Sequence, residues 1–187
     1  MKIVSVWNPK GGSGKSTTTL NLAGAAHNLD LKAMVICDDP QGSATWAASL
    51  GKLPFPVESA IPKERPDVDL VIIDHAAAYS EVPPAATVVT PLKPCRMDYV
   101  AYTDAVRSLQ GKRIVKVVNG ADIRRKDERE VSQALQQQGA YVVRSRAVYV
   151  KANNEGTTVF DPMWNSSGGA KEARSEFEAI LAGVLGE

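Results

Sequence analysis

Short apolar, β-branched runs recur along the chain at Ile3 to Trp7, Ala33 to Cys37, Leu70 to Ile73, Ala86 to Thr90, Ile114 to Val118 and Tyr141 to Val143. Between most of them lie stretches that read as helices. These are Ser16 to Asn28, Asp98 to Gln110 with Asp98 as N-cap, Asp127 to Gln138 with Asp127 as N-cap and Gly139 as the stop, and Gly169 to Leu185. Near-continuous apolar strands alternating with helices are what a parallel sheet needs, because each crossover helix buries a sheet face. The predicted class is therefore α/β: a doubly wound, mostly parallel sheet flanked by helices. Two stretches break the alternation: proline-rich Gly51 to Asp67, and Asn153 to Gly169, rich in Asn, Ser and Gly. Both read as surface loops within one domain.

Candidate chemistry begins directly after the first strand, at Asn8-Pro-Lys-Gly-Gly-Ser-Gly-Lys-Ser-Thr17. Glycines let backbone N–H groups turn inward without obstruction, and the following helix adds its unpaired donors and positive dipole end. Polyphosphate is the natural ligand of Gly11, Gly12, Ser13 and Gly14. Lys15 is placed to reach the β and γ phosphates, Ser16 to ligate Mg²⁺, and Thr17 to donate to the α phosphate. Phosphoryl transfer further needs acidic groups at the carboxyl ends of central strands. Asp38 and Asp39 end one strand and Asp74 ends another, and all three are candidates for the magnesium site. Asn119, after the Ile114 to Val118 strand, is either an adenine contact or a turn-forming Asn-Gly.

The loop departs from the general P-loop pattern, with Pro9 where that pattern has its first glycine and a second lysine, Lys10, at the front. Lys10-Gly-Gly-Ser-Gly-Lys15-Ser16 resembles the deviant Walker A box of the ParA/MinD family of P-loop ATPases. The resemblance implies that Lys10 reaches the partner's ATP in a nucleotide-sandwich dimer. Asp39-Pro40-Gln41 is similar to that family's switch-region box, which implies that Asp39 orients the attacking water, so Lys10, Lys15 and Asp39 are the catalytic candidates. Asp74 stands where the family has its Walker B aspartate. Cys37 and His75 to Ala78 depart from the family pattern, which implies slower or differently tuned hydrolysis. Pro94 and Asp98 match a segment that opens a dimer-facing helix. Arg146 to Lys151, Glu155-Gly156, Val159-Phe160 and Gly168 to Lys171 resemble the C-terminal part of small ParF-like plasmid partition ATPases.

Composition refines this picture. The chain has 187 residues, 44% hydrophobic and 23% charged, with a net charge of +1, and no apolar run long enough to span a bilayer. The expectation is one P-loop ATPase domain over residues 1–187. Its first strand starts at Lys2, leaving no room for an N-terminal helix-turn-helix and hence for sequence-specific DNA reading. Two cysteines and the absence of a signal-peptide pattern point to a cytoplasmic location. The near-zero charge is uneven: Arg107 to Lys151 holds eleven basic and four acidic residues, a local +7, and the remainder is −6.

Together these features imply a DNA partition ATPase using ATP and Mg²⁺. It would form an ATP-dependent homodimer, bind non-specific DNA and associate with the nucleoid, be reset by a centromere-binding ParB-like partner, and make no use of a membrane. Arg144, Arg146, Lys151, Lys171 and Arg174 are the candidate DNA contacts. The alternatives are a MinD-like positioning ATPase, for which the last helix carries too many glutamates to favour anionic lipid, and a small-molecule P-loop kinase or ligase with no use for Lys10. An iron–sulfur reductase is remote because Cys37 falls in the nucleotide strand.

Overall fold

The computed structural model describes residues 1–39, 42–77 and 81–186. Pro40 and Gln41 of the switch-region box, together with Ala78 and Glu187, lie outside the described residues. Among the described residues, seven strands form one sheet: β1 (Lys2–Val6), β2 (Ala33–Asp38), β3 (Val57–Glu58), β4 (Leu70–His75), β5 (Thr87–Leu92), β6 (Arg113–Ala121) and β7 (Tyr141–Arg144). Their spatial order is β3-β2-β4-β1-β5-β6-β7, and every pairing is parallel. The predicted doubly wound sheet is thus observed.

Among the described residues, six α-helices cover it: α1 (Lys15–Asn28), α2 (Ser43–Ser49), α3 (Arg96–Val106), α4 (Lys126–Gln137), α5 (Ala147–Asn154) and α6 (Ala170–Leu185). Strand alternation separates the packing on the two faces of the sheet. Val4, Val6, Val35, Leu70 and Ile72 face α1, α2, α5 and α6, whereas Leu92, Val118 and Ala121 face Tyr102 of α3 and Leu135 of α4. Phe177, Ile180, Leu181 and Val184 of α6 are buried on the first of these faces, each contributing about 1.5–3 kcal/mol of burial free energy. The apolar stripe of α6 is therefore core packing, and none of the described helices is long and apolar enough to cross a membrane.

Several boundaries differ from the sequence reading. Helix α3 follows Cys95, with no side-chain cap, and Asp98 sits inside its first turn; its carboxylate is drawn to an ammonium instead of to backbone N–H groups. It also ends at Val106 and tightens into a 3₁₀ turn over Arg107–Leu109. Arg125, not Asp127, precedes α4, and Asp127 and Glu128 occupy its first turn, where they complement the helix dipole. The stretch read as a loop from Gly51 contains β3, and α5 extends into the one read as a loop from Asn153. Both α2 and α5 are short and contain few charges, so neither produces a clear helical period in the sequence.

Gly156 closes α5 at φ +63°, and a Cβ there would lie 2.9 Å from Ala47 O and 2.6 Å from Leu50 Cδ1. Gly51 has a similar φ of +69° with open space around it. Gly156→Ala is expected to lower stability by about 2–4 kcal/mol through strain plus overpacking, and Gly51→Ala by about 1 kcal/mol through left-handed strain alone. Urea denaturation of the two variants checks the difference.

Candidate functional site

Because β1 lies between β4 and β5, the chain leaving Val6 crosses the carboxyl edge of the sheet at its centre, where open α/β sheets bind ligands. Buried Asn8 pins the front of the loop: its Nδ2 donates to Pro91 O of β5 at 2.7 Å, and its Oδ1 accepts from Lys10 N at 2.8 Å. Gly14 enters α1 at φ +93°, and a Cβ there would lie 1.7 Å from Asn119 Nδ2. That amide donates to Ser13 O at 3.0 Å, so Asn119 supports the loop from beneath. It does so from within β6, which continues through Asn119 and Gly120 to Ala121 with a register irregularity. The first turn of α1 contains no acidic residue, which leaves its positive end open to an anion.

Two buried charges sit under this turn. Lys15 is 6% exposed, with Nζ 3.2 Å from Asn8 O and 3.5 Å from Lys10 O. Burial lowers its pKa, and the carboxylates of Asp74 and Asp39 partly offset this. Asp74, fully buried, pairs in register with Val6 of β1 and Cys37 of β2. Its Oδ1 accepts from Thr19 Oγ1 at 3.2 Å. Burial pushes its pKa up to about 6, against the pull of the Ser16 and Thr19 hydroxyls and of Lys15. Asp74 Oδ2 and Ser13 Oγ are buried with no hydrogen-bond partner among the described residues. Buried polar atoms are rarely left so, and a carboxylate oxygen and a loop hydroxyl beside a buried ammonium fit an incoming phosphate and a hard cation.

A cleft of about 770 Å³ opens over the loop, lined by Gly11, Gly12, Gly14, Lys15, Ser16 and Thr17, by Asp39 after β2, and by Trp46, Ala77, Asn153 and Asn154. Asp38 is not brought to it. Strand alternation turns Asp38 to the opposite sheet face, where its Oδ2 lies 3.5 Å from His75 Nδ1, while His75 Nε2 lies 3.0 Å from Ser5 Oγ. Burial lowers the His75 pKa, with Asp38 opposing. Cys37 is buried in the core beneath. Lys10 stands on the outer rim, 48% exposed, and its ammonium is ion-paired with Asp98 of α3, whose carboxylate raises the lysine pKa. A larger groove of about 1140 Å³ runs between the starts of α3 and α4. It contains no residue of the phosphate loop, so the smaller cleft is the site the chemistry selects.

The basic candidates divide into two groups. Arg146 forms a bidentate pair with Glu176 at 2.6 and 2.8 Å. Arg174 donates to Val159 O at 2.6 Å, Asn165 Oδ1 at 2.8 Å and Asp161 O at 3.1 Å. Both guanidinium groups are thus committed internally, which sequence charge counts do not reveal. The side chains of Arg144, Lys151 and Lys171 are exposed. The sequence reading did not single out Asn8, Trp46 or Asn153. Asn8 adjoins the loop and was legible as its first residue, but Asn153 comes from a remote segment with no local signal.

The chain is similar to several known proteins. A family described as AAA domain matches residues 1–63. The maintenance of carboxysome distribution protein A of Gloeobacter kilaueensis is 32% identical over 122 residues, 56% of this chain and 55% of that protein. The matched part thus spans about half the length of that relative. The MinD cell division protein of Aquifex aeolicus superposes with a TM-score of 0.74 at 15% identity, covering 100% of this chain and 98% of the other. A Borrelia burgdorferi B31 protein described as a plasmid partition protein, bound to AMPPNP, gives 0.72 at 14% identity over 97% and 98%. The ATP complex of Cyanothece McdA(D38A) gives 0.69 at 16% identity over 100% and 96%. Fold and phosphate loop define the class as a P-loop protein. With its lysine at the front of the loop, the chain is similar to proteins of the ParA/MinD type.

An acid whose pKa is higher in the fold than in the unfolded chain binds its proton more tightly when folded. For Asp74, with about 6 in the fold against an ordinary 3.8, stability is therefore greatest below about pH 4 and falls as the pH rises through 6. The loss reaches at most about 3 kcal/mol. In the ligand-free chain Asp74→Asn is expected to be stabilising at pH 7.5 and near neutral at pH 4, as measured by urea denaturation at the two pH values.

Proposed function

We propose that the protein is an ATPase of the DNA-partition kind, taking ATP with Mg²⁺ in the cleft above the phosphate loop. The observation that carries this reading is the convergence of Lys15, Ser16, Asp39 and Asp74 on one side of the loop, with Lys10 on its outer rim. The loop N–H groups and the α1 terminus bind the phosphates, and Lys15 neutralises the β and γ charge. Ser16 and Asp74, the latter through water, are the groups to hold magnesium, which when bound neutralises charge between the β and γ phosphates. Asp39 lines the cleft and orients the attacking water. Gly11 to Thr17 enclose the phosphates, and Asn119 keeps Ser13 and Gly14 in place beneath them.

Lys10 acts on the second subunit's nucleotide in a sandwich dimer. In the single chain it is paired with Asp98, so engagement across the dimer breaks that pair. The nucleotide-bound dimer is the DNA-binding form, because two subunits present their basic surfaces together. Arg144, Lys151 and Lys171 are the DNA contacts best supported by exposure. A centromere-binding ParB-like partner stimulates hydrolysis and releases the dimer, and the protein is cytoplasmic and nucleoid-associated. The likeness to a carboxysome distribution protein and to MinD favours positioning of another cargo as the second reading.

Light scattering with ATP, ADP and no nucleotide tests the dimer. The wild type is expected to double in mass with ATP only, and Lys10→Ala to stay monomeric; a mass independent of nucleotide contradicts the reading. DNA retention is expected with ATP and not with ADP, to fall steeply between low and moderate salt, and to weaken several-fold in an Arg144→Ala, Lys151→Ala, Lys171→Ala triple variant.

A further inference from the structure

The last residue of the phosphate loop is gripped from a distant part of the chain. Asn153, near the end of α5, donates from Nδ2 to Thr17 Oγ1 at 3.2 Å, and both residues line the cleft. The neighbouring backbone is gripped as well. Buried Asn21 donates to Thr17 O at 2.8 Å and accepts from Val159 N at 3.0 Å, so the segment from Asn153 to Val159 is fastened to the first two turns of α1 at two points. The second fastening secures the fold. The first does something more specific, because it involves the side-chain hydroxyl of a residue that lines the cleft.

A hydroxyl carries one proton and two acceptor lone pairs, whereas an amide nitrogen only donates. With Asn153 Nδ2 as donor, Thr17 Oγ1 is the acceptor and its own proton is left unused. Among the described residues no hydrogen bond has the Thr17 hydroxyl as donor. The carbonyl one turn back that a helical threonine commonly takes, Ser13 O, accepts from Asn119 and has a second lone pair, yet among the described residues no hydrogen bond joins it to the Thr17 hydroxyl. We propose that Asn153 is a positioning residue of the phosphate site: by donating to Thr17 Oγ1 it fixes the rotamer of Thr17 and turns the hydroxyl proton into the cleft, toward the α phosphate of a bound nucleotide. This rests on the nucleotide reading of the cleft given above. Asn153 acts through Thr17, and its effect falls on the part of the ligand that ATP and ADP share.

Binding of fluorescent ATP and ADP analogues to the wild type, Asn153→Ala, Asn153→Asp, Thr17→Val and the Asn153→Ala, Thr17→Val double variant tests this, with circular dichroism confirming that each folds. Asn153→Ala is expected to weaken ATP and ADP equally, each about five- to tenfold. Asn153→Asp, which can only accept and so takes the Thr17 proton for itself, is expected to weaken both further. In the Thr17→Val background, removing the Asn153 amide is expected to add nothing. Additive losses in the double variant, a loss confined to ATP, or wild-type affinity in Asn153→Asp each overturn the role of Asn153. If the wild type binds neither nucleotide, the nucleotide reading itself falls and this inference with it.

Discussion

An ammonium and a carboxylate held out of water at the end of one parallel strand pair are the constraint on which this structure turns. Lys15 begins α1 and Asp74 is the penultimate residue of β4, and the in-register pairing of Val6 with Asp74 brings both to the carboxyl end of β1. Burying either charge alone costs several kcal/mol. The compensation comes from their mutual attraction, from the Asn8 and Lys10 carbonyls around the ammonium, and from the Ser16 and Thr19 hydroxyls on the carboxylate. The compensation is incomplete, since Asp74 keeps a raised pKa and an unpartnered oxygen. A site left under-satisfied in its ligand-free form gains when charged phosphate and cation arrive.

Helix α1 carries that site and is enclosed to suit it. Polar Thr18, Thr19 and Asn21 are buried along with Leu20, Leu22 and the alanines that follow, so the helix has almost no solvent face. Strands cover one side. The C-terminal third of the chain covers the other, with α6 against its length and the Thr157 to Phe160 turn against Gly24. Arg174 holds that turn by three hydrogen bonds, and the Arg146–Glu176 pair fastens α6 to the start of α5. Basic residues that looked in the sequence like a surface for a polyanion thus partly serve to hold the wall of the phosphate site. Exposed Arg144, Lys151 and Lys171 remain on the outside of the same elements, next to those that line the cleft.

The rim of the loop follows a different logic from its floor. Lys10 is exposed enough to move, and its partner Asp98 lies on α3, beneath the opposite sheet face from α1. Because α3 begins after Cys95, Asp98 stands in its first turn facing the loop. The pair is half exposed, with its ammonium at the surface and the Asp98 carboxylate buried, whereas the Lys15 and Asp74 environment is built into the strand register.

Strand positions other than β3, sheet class and the phosphate loop were legible in the sequence because each depends on neighbours in the chain: alternation of buried positions, glycines before a helix, an apolar run ending in Asp74. The same local rules missed α2 and α5, whose apolar faces are too short to show a period, and misplaced the caps of α3, where Asp98 pairs with Lys10, and of α4, where Asp127 lies in the first turn. Which aspartate of the Asp38-Asp39 pair meets the cleft was decided by strand alternation carried across the sheet, which turned Asp38 to His75. That Asn119 lies under Ser13, that Lys10 rests on Asp98 and that Asn153 holds Thr17 are contacts between residues far apart in the chain. Local sequence determined which groups are available to bind phosphate. Only the folding of remote segments onto α1 decided how those groups are aimed, because hydrogen-bond direction depends on partners that sequence proximity does not specify.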